Sequence, residues 1–228
     1  MTTSHSSVPG RRAFGDELED LHLQVELMAV RVGEALALMK DVLGLGDPEA
    51  ARRALDADDE IDEMNASLTE RCYELLRREA PVASDLRMVV SVVRVTSELE
   101  RIGDLALRVV KLAPYHDLLA SSPVTFEVLC AMASQAIDRF QLALRAWAST
   151  DLELAIQLAT APRSMDVLQE RLMAEVMRLE GDNAVRTAVL TFAAGQAVDR
   201  IADHAAVIGA RLRYLITGDP RHLVAEVR

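Results

Sequence analysis

The sequence predicts an all-α protein made of two tandem antiparallel three-helix bundles, with six long helices related by internal duplication. Half of the 228 residues are hydrophobic but only 4% are aromatic, a mixture that favours helices packed on helices. One short pattern also occurs twice, as ELERIGDLA at 98–106 and AVDRIADHA at 197–205. Each half of the chain therefore carries one copy of the same acid-Arg-Ile-small-acid sequence.

Three helices are predicted in the first half. Apolar residues recur every three or four positions from residue 14 to about 43, which is typical of one long amphipathic helix. Asp47 and Pro48 supply an N-cap and a first-turn proline for a second helix that ends near residue 79. The proline-containing stretch 80–85 breaks the pattern, and a third helix with the first copy of the motif runs towards Pro114.

The same plan repeats after a proline- and serine-rich boundary at 114–123. A fourth helix ends near Ser149, Asp151 caps a fifth, and a last helix that carries the second motif ends near Gly218. Pro162 predicts a kink or break near Thr160, because proline removes a backbone hydrogen bond. The predicted organisation is a flexible leader at 1–13, bundles at 14–114 and 123–218, and a tail at 219–228.

Composition excludes several classes of function. The formal net charge of −11 argues against a nucleic-acid surface. No apolar run approaches the roughly 20 residues of a membrane span, and the N-terminus lacks a hydrophobic signal region, so we expect a cytoplasmic protein. Cys72 and Cys130 share no metal-type spacing and lie in apolar surroundings, which favours buried free thiols, although a disulfide between them stays open.

The duplicated motif places two carboxylates four residues apart in each half, Glu100 with Asp104 and Asp199 with Asp203. Like charges at this spacing repel by roughly 0.2–0.5 kcal/mol on an isolated helix, and a bound cation would offset that cost. Helical projection turns both pairs away from the apolar stripe. One interpretation is therefore a surface metal site of oxygen ligands, suited to hard ions or to iron and zinc.

Two alternatives remain open. The carboxylates fit equally a solvated face with local ion pairs, such as Asp104 with Arg108 and Asp203 with Arg200. A metal-binding enzyme or metal store of the diiron-carboxylate type would need Glu-x-x-His on two helices, and only Glu19 and His22 have that spacing. His204, directly after Asp203, lies about 100° further round the helix and is expected to flank the pair rather than bind metal.

At these residues the chain resembles the PhoU family of phosphate-signalling regulators, over nearly all of the region from Phe14 to Gly218. The resemblance rests on both motif copies, on the Asp-Leu-Arg after the proline turn at 85–87, and on the DxxID pattern of Asp58 to Asp62. It implies two three-helix bundles whose carboxylates Glu100, Asp104, Asp199 and Asp203 hold Fe, Zn, Mn or Mg ions.

The resemblance also implies a function. It predicts a non-enzymatic negative regulator of the phosphate-starvation response and of phosphate uptake, which couples the ATPase subunit of a phosphate ABC transporter to a sensor histidine kinase by protein contacts. We expect a homodimer that meets the membrane only through these partners and binds no nucleic acid. The chain departs from the family pattern at Arg108 and Val207, where the family usually has Asn, and at Ala80, where it usually has Gln.

Overall fold

The computed structural model describes residues 9–160 and 164–227, and this part of the chain folds into α-helices without β-strands. In chain order the helices are α1 (Pro9–Leu45), α2 (Pro48–Asp56), α3 (Asp58–Glu79), α4 (Ala83–Val110), α5 (His116–Ala120), α6 (Pro123–Ser149), α7 (Leu152–Thr160), α8 (Ser164–Val176) and α9 (Ala184–Thr217). Short 3-10 segments follow at Ala113–Tyr115 and Pro220–Val227. The all-α, duplicated three-helix architecture is confirmed.

In the first half the predicted second helix is two helices in the structure, α2 and α3, which meet at Ala57. In the second half α7 is described up to Thr160 and α8 from Ser164. The break predicted at Pro162 lies outside the described residues, as do residues 1–8 of the predicted leader, and α1 begins at Pro9.

The predicted caps are present in both halves. The Asp47 carboxylate accepts a 2.9 Å hydrogen bond from the backbone N–H of Glu49 at the start of α2. Asp151 accepts equivalent bonds from the N–H groups of Glu153 and Leu154, at 2.7 and 3.1 Å, at the start of α7. Each carboxylate satisfies N–H groups that have no partner inside the helix.

The core follows the apolar stripes of the two motif-bearing helices. Every residue predicted on those stripes is buried, and in α4 they are Val92, Val95, Leu99, Ile102, Ala106 and Val109. In α9 they are Val198, Ile201, Ala205, Ile208 and Leu212. Helices α4 and α9 pack along one another, while α1 packs on α6, so the two halves share one continuous core.

The two cysteines are free thiols, as the apolar contexts indicate. Cys72 is buried in α3, and burial raises the pKa of its thiol to about 11. Cys130 in α6 is partly buried, and burial raises its pKa as well. No helix in the described ranges is both long enough and apolar enough to cross a bilayer.

Candidate functional site

Both copies of the motif lie in the middle of long helices, the first in α4 and the second in α9. The isoleucine of each copy, Ile102 or Ile201, is buried in the core. Glu100, Asp104 and Asp199 are half-buried, whereas Asp203 is exposed. The motif directs its apolar residue inwards, as helical projection predicts. Three of its carboxylates lie on the helix flanks and are half-buried, rather than on the outward side that the projection predicts.

The first pair of carboxylates joins two aspartates of the neighbouring helix α3. Burial, followed by the charges of Asp104 and Asp62, raises the pKa of Glu100. Burial and the charges of Asp62 and Asp104 likewise raise the pKa of Asp58. These four residues, Asp58, Asp62, Glu100 and Asp104, form the first acidic cluster. Its members oppose one another's ionisation, so a cation placed among them would be stabilising.

The second pair has a different set of neighbours. Burial, then the charges of Asp203 and Asp166, raises the pKa of Asp199, while Arg139 of α6 lowers it. The Asp203 side chain is accessible to solvent, but its neighbours remove part of its hydration and so raise its pKa, against the lowering effects of His204 and Arg139. Asp166, Asp199 and Asp203 form the second acidic cluster, which has three carboxylates and already contains a cationic side chain.

The difference between the clusters follows from the duplicated register. Asp166 lies at the position equivalent to Asp62, but Pro162 replaces Asp58 in the second half. Carboxylate oxygens are the donors that hard cations prefer, so the first cluster has suitable chemistry for a metal ion. Within the described ranges, however, no three His, Cys, Asp or Glu side chains converge closely enough to form a coordination group. The carboxylates form an open surface cluster.

A hydrogen bond to the buried side chain of Glu98 links the two halves beside the motifs, and the sequence patterns did not reveal it. His204 of α9 donates from Nδ1 to the Glu98 carboxylate of α4 at 2.6 Å. The Glu98 side chain is only 4% exposed, with Arg101 and Arg94 at 3.7 and 3.9 Å from its Oε1 atom. The sequence contained a signal for this contact, because Glu98 lies next to Leu99 on the buried stripe of α4 and a buried carboxylate needs a partner.

An open cleft of about 390 Å³ lies beside this hydrogen bond, between α4 and α9. We call it the α4–α9 cleft, and its lining residues are Arg101, Asp104, Leu105, Arg108, Arg200 and His204. Arg101 and Arg200 are equivalent members of the two motif copies. In the described part of the chain the expected salt bridges of Arg108 with Asp104 and of Arg200 with Asp203 do not form.

The histidine that could have supported diiron chemistry has other contacts. His22 of α1 lies 3.1 Å from the Glu26 carboxylate and stacks on Trp147 of α6 with ring centroids 5.0 Å apart. It therefore contributes to the packing of α1 on α6. The protein is a duplicated helical bundle with acidic clusters on its flanks and a basic cleft between α4 and α9. These features are typical of a binding or regulatory protein.

Comparison with known proteins identifies the family. A family model described as the PhoU domain matches residues 25–113 and 129–212, one match in each half. This chain belongs to the PhoU family. It is 30% identical over 213 residues to the phosphate-specific transport system accessory protein PhoU homolog of Pseudomonas aeruginosa, covering 92% of this chain and 88% of the relative. It is 29% identical to PhoU homolog 2 of Mycobacterium bovis, over 91% and 98% of the two chains.

Solved structures agree with this assignment. The crystal structure of PhoU from Pseudomonas aeruginosa matches with a TM-score of 0.84 at 30% identity, over 90% of this chain and all of that one. The phosphate transport system regulatory protein PhoU from Streptococcus pneumoniae matches with a TM-score of 0.80 at 26% identity, over 90% and 98%.

Proposed function

We propose that this chain is a regulatory accessory protein of phosphate-specific transport that acts by protein contacts rather than by catalysis. The observation that carries the proposal is the match of the PhoU domain to both halves of the chain. Relatives that align with most of its length are named accessory proteins of phosphate-specific transport. The proposed partners are the sensor histidine kinase of the phosphate two-component system and the ATPase subunit of the phosphate ABC transporter, which the chain restrains when phosphate is ample.

Exposed apolar side chains at one end of each bundle support regulation by contact. In the second half they flank the turn from α8 to α9 and include Met177, Val185 and Val189, which are 80, 78 and 62% exposed. In the first half Tyr73 and Val82 flank the equivalent turn from α3 to α4, at 61 and 72%. Exposed apolar side chains that lie together on a protein surface often form an interaction site. The duplicated fold thus offers exposed apolar residues near the equivalent turn in each half.

Capture of purified partners tests this proposal. The immobilised chain is expected to retain the cytoplasmic part of the kinase and the transporter ATPase, and Val185→Gln with Val189→Gln is expected to weaken capture at least tenfold. Each buried Val contributes about 1.5 kcal/mol to an interface, so losing two accounts for that change. The matched control is Leu23→Gln with Leu27→Gln, two residues on α1 with the same spacing that are 50 and 47% exposed. Failure of the unmodified chain to retain either partner contradicts the proposal.

We further propose that the first acidic cluster binds one Fe, Zn, Mn or Mg ion, and that it does so more tightly than the second. Four carboxylates, two of them with a raised pKa, support the first cluster. The second has three carboxylates beside Arg139, a cation that competes for the same site. Bound metal would neutralise the flank of α4 and hold it against α3.

Thermal unfolding with and without metal tests this site. A metal at 100 times its dissociation constant stabilises the folded state by about 2.7 kcal/mol. Asp62→Asn is expected to remove this stabilisation, while Asp166→Asn, the equivalent change in the second cluster, is expected to leave most of it. An unchanged melting temperature of the metal-free chain in the presence of all four metals would show that neither cluster is a site. Elemental analysis of untagged protein identifies the ion that is bound.

A further inference from the structure

We propose that the α4–α9 cleft binds inorganic phosphate, held by Arg101 and Arg108 of α4 and by Arg200 of α9. The inference goes beyond regulation by partner contact, because it gives the chain a small-molecule ligand of its own. It rests on the side chains that line the cleft, on the pairing of equivalent arginines across the two halves, and on the charge balance around them.

The duplication itself builds the cleft. In each motif the arginine follows the first acid by one position, so it lies about 100° round the helix from that carboxylate. Glu100 and Asp199, the first acid of each motif, then join the acidic clusters with α3 and α8, while Arg101 and Arg200 face the same space between α4 and α9. Asp104 belongs to the first acidic cluster and also lines the cleft. Two copies of one sequence thus supply two guanidinium groups to one site, and Arg108, two turns after Arg101, adds a third.

The local charge favours an anion. Three arginines and one carboxylate, Asp104, line the cleft, in a chain whose formal net charge is −11. Glu98 lies behind them, but its Oε2 atom accepts the hydrogen bond from His204, and Arg101 remains 3.7 Å from its other oxygen. Arg108 and Arg200 make no salt bridge within the described residues, so their donors are available to a ligand. Asp203 is near enough for the charge of Arg200 to act on it and offsets part of the positive charge. The guanidinium groups repel one another, and an anion bound between them would offset that repulsion.

The shape and composition of the cleft select the kind of anion. The guanidinium fork matches the oxygen spacing of phosphate and can bind it through two parallel hydrogen bonds. Among the described lining residues Leu105 is the one apolar side chain. The one ring is the imidazole of His204, which is held by its hydrogen bond to Glu98, and no Phe, Tyr or Trp is present for a nucleotide base to stack on. Free phosphate therefore fits better than a nucleotide, although both present the same phosphate chemistry.

Isothermal titration calorimetry of the metal-free chain with inorganic phosphate at low ionic strength tests the site. Arg108→Gln and Arg200→Gln are each expected to weaken binding about tenfold or more, the loss that follows from removing a charge-assisted hydrogen bond. Arg200→Lys, which keeps the charge but loses the fork, should fall between Arg200→Gln and the unmodified chain. Arg145→Gln removes the same charge from an exposed position on α6 outside the lining and should bind phosphate normally.

Asp104→Asn distinguishes this site from a metal site. Removing the only carboxylate that lines the cleft is expected to tighten phosphate binding severalfold, whereas it would weaken a metal-bridged anion. Parallel titrations with sulfate and with ADP identify the ligand, since tighter binding of ADP than of phosphate would overturn the choice of free phosphate. Absence of saturable binding at millimolar phosphate, or equal affinity of Arg200→Gln and Arg145→Gln, would overturn the site. Partner capture by the same variants is measured separately, so failure here leaves the regulatory proposal standing.

Discussion

Removing the buried Glu98–His204 pair is expected to loosen the contact between the two halves of the protein. Glu98 lies in α4 and His204 in α9, and their 2.6 Å hydrogen bond joins two long helices that pack along one another. His204→Ala leaves a carboxylate that is 4% exposed without its closest partner, since Arg101 and Arg94 are 3.7 and 3.9 Å away. An unpaired buried charge is costly because protein solvates it less well than water does.

The magnitude follows from this geometry. A hydrogen bond to a charged group contributes about 1.5–3 kcal/mol, and breaking a buried pair costs roughly 3–5 kcal/mol when the remaining charge is left without partners. The two arginines offset part of that cost, so we expect His204→Ala to lower the free energy of unfolding by about 2–3 kcal/mol. For a chain of this length the melting temperature should fall by roughly 4–12 °C.

Urea denaturation of the two single variants and the double variant measures the coupling directly. Glu98→Ala with His204→Ala should cost less than the sum of the single changes, because the partners act on each other. The control is the His22–Glu26 pair, which has the same chemistry at 3.1 Å but with side chains 19 and 27% exposed. Glu26→Ala should cost about 1 kcal/mol or less. Equal costs at Glu26 and Glu98, or additive effects of the two central changes, would refute the reasoning.

Two further predictions concern stability. A methyl group at Gly209 would lie 2.8 Å from Leu158 Cδ1 and 3.1 Å from its Cβ, so Gly209→Ala should lower the free energy of unfolding in urea by about 1–3 kcal/mol. A methyl group at Gly33 would lie 3.5 Å from Phe140, so Gly33→Ala should raise the free energy of unfolding by about 0.5–1 kcal/mol. A result of the same sign at both glycines would contradict the packing. Burial and neighbouring carboxylates raise the pKa of Glu100. At pH values between the unfolded and the folded pKa of this residue, the folded chain therefore binds more protons than the unfolded chain, and the free energy of unfolding falls as the pH rises through that range. Glu100→Gln should therefore raise the melting temperature in chelator at pH 7 by about 1 °C. This gain should vanish below the ordinary carboxyl pKa of about 4.3, where Glu100 is protonated in both states. A gain that persists in acid would refute the electrostatic explanation.

Sequence patterns predicted most of the fold because helical periodicity and capping act locally. The sequence alone predicted the apolar stripes around Leu99 and Ile201 and the caps at Asp47 and Asp151. It also predicted the internal duplication. The break at Ala57 was missed, since alanine is the best helix former and gives no local signal for an interruption.

The candidate site was predicted less completely, because its geometry depends on packing between helices. The motif acids were found from their spacing, but the approach of Asp166 to the second pair requires α8 to pack beside α9. His204 was expected to flank the acids, yet it bonds to Glu98 from the other half of the chain. The cleft was missed for the same reason, since Arg101 and Arg200 lie 99 residues apart in the sequence.

A phosphate-starvation reporter in the native host tests the regulatory role most directly. Deleting the gene is expected to switch the reporter on in medium with ample phosphate, and the unmodified gene should restore repression. Val185→Gln with Val189→Gln should fail to restore it at equal protein level, while the α1 control pair, Leu23→Gln with Leu27→Gln, should succeed. Continued repression in the deletion strain at ample phosphate would contradict the proposal that this chain is a negative regulator of the phosphate-starvation response.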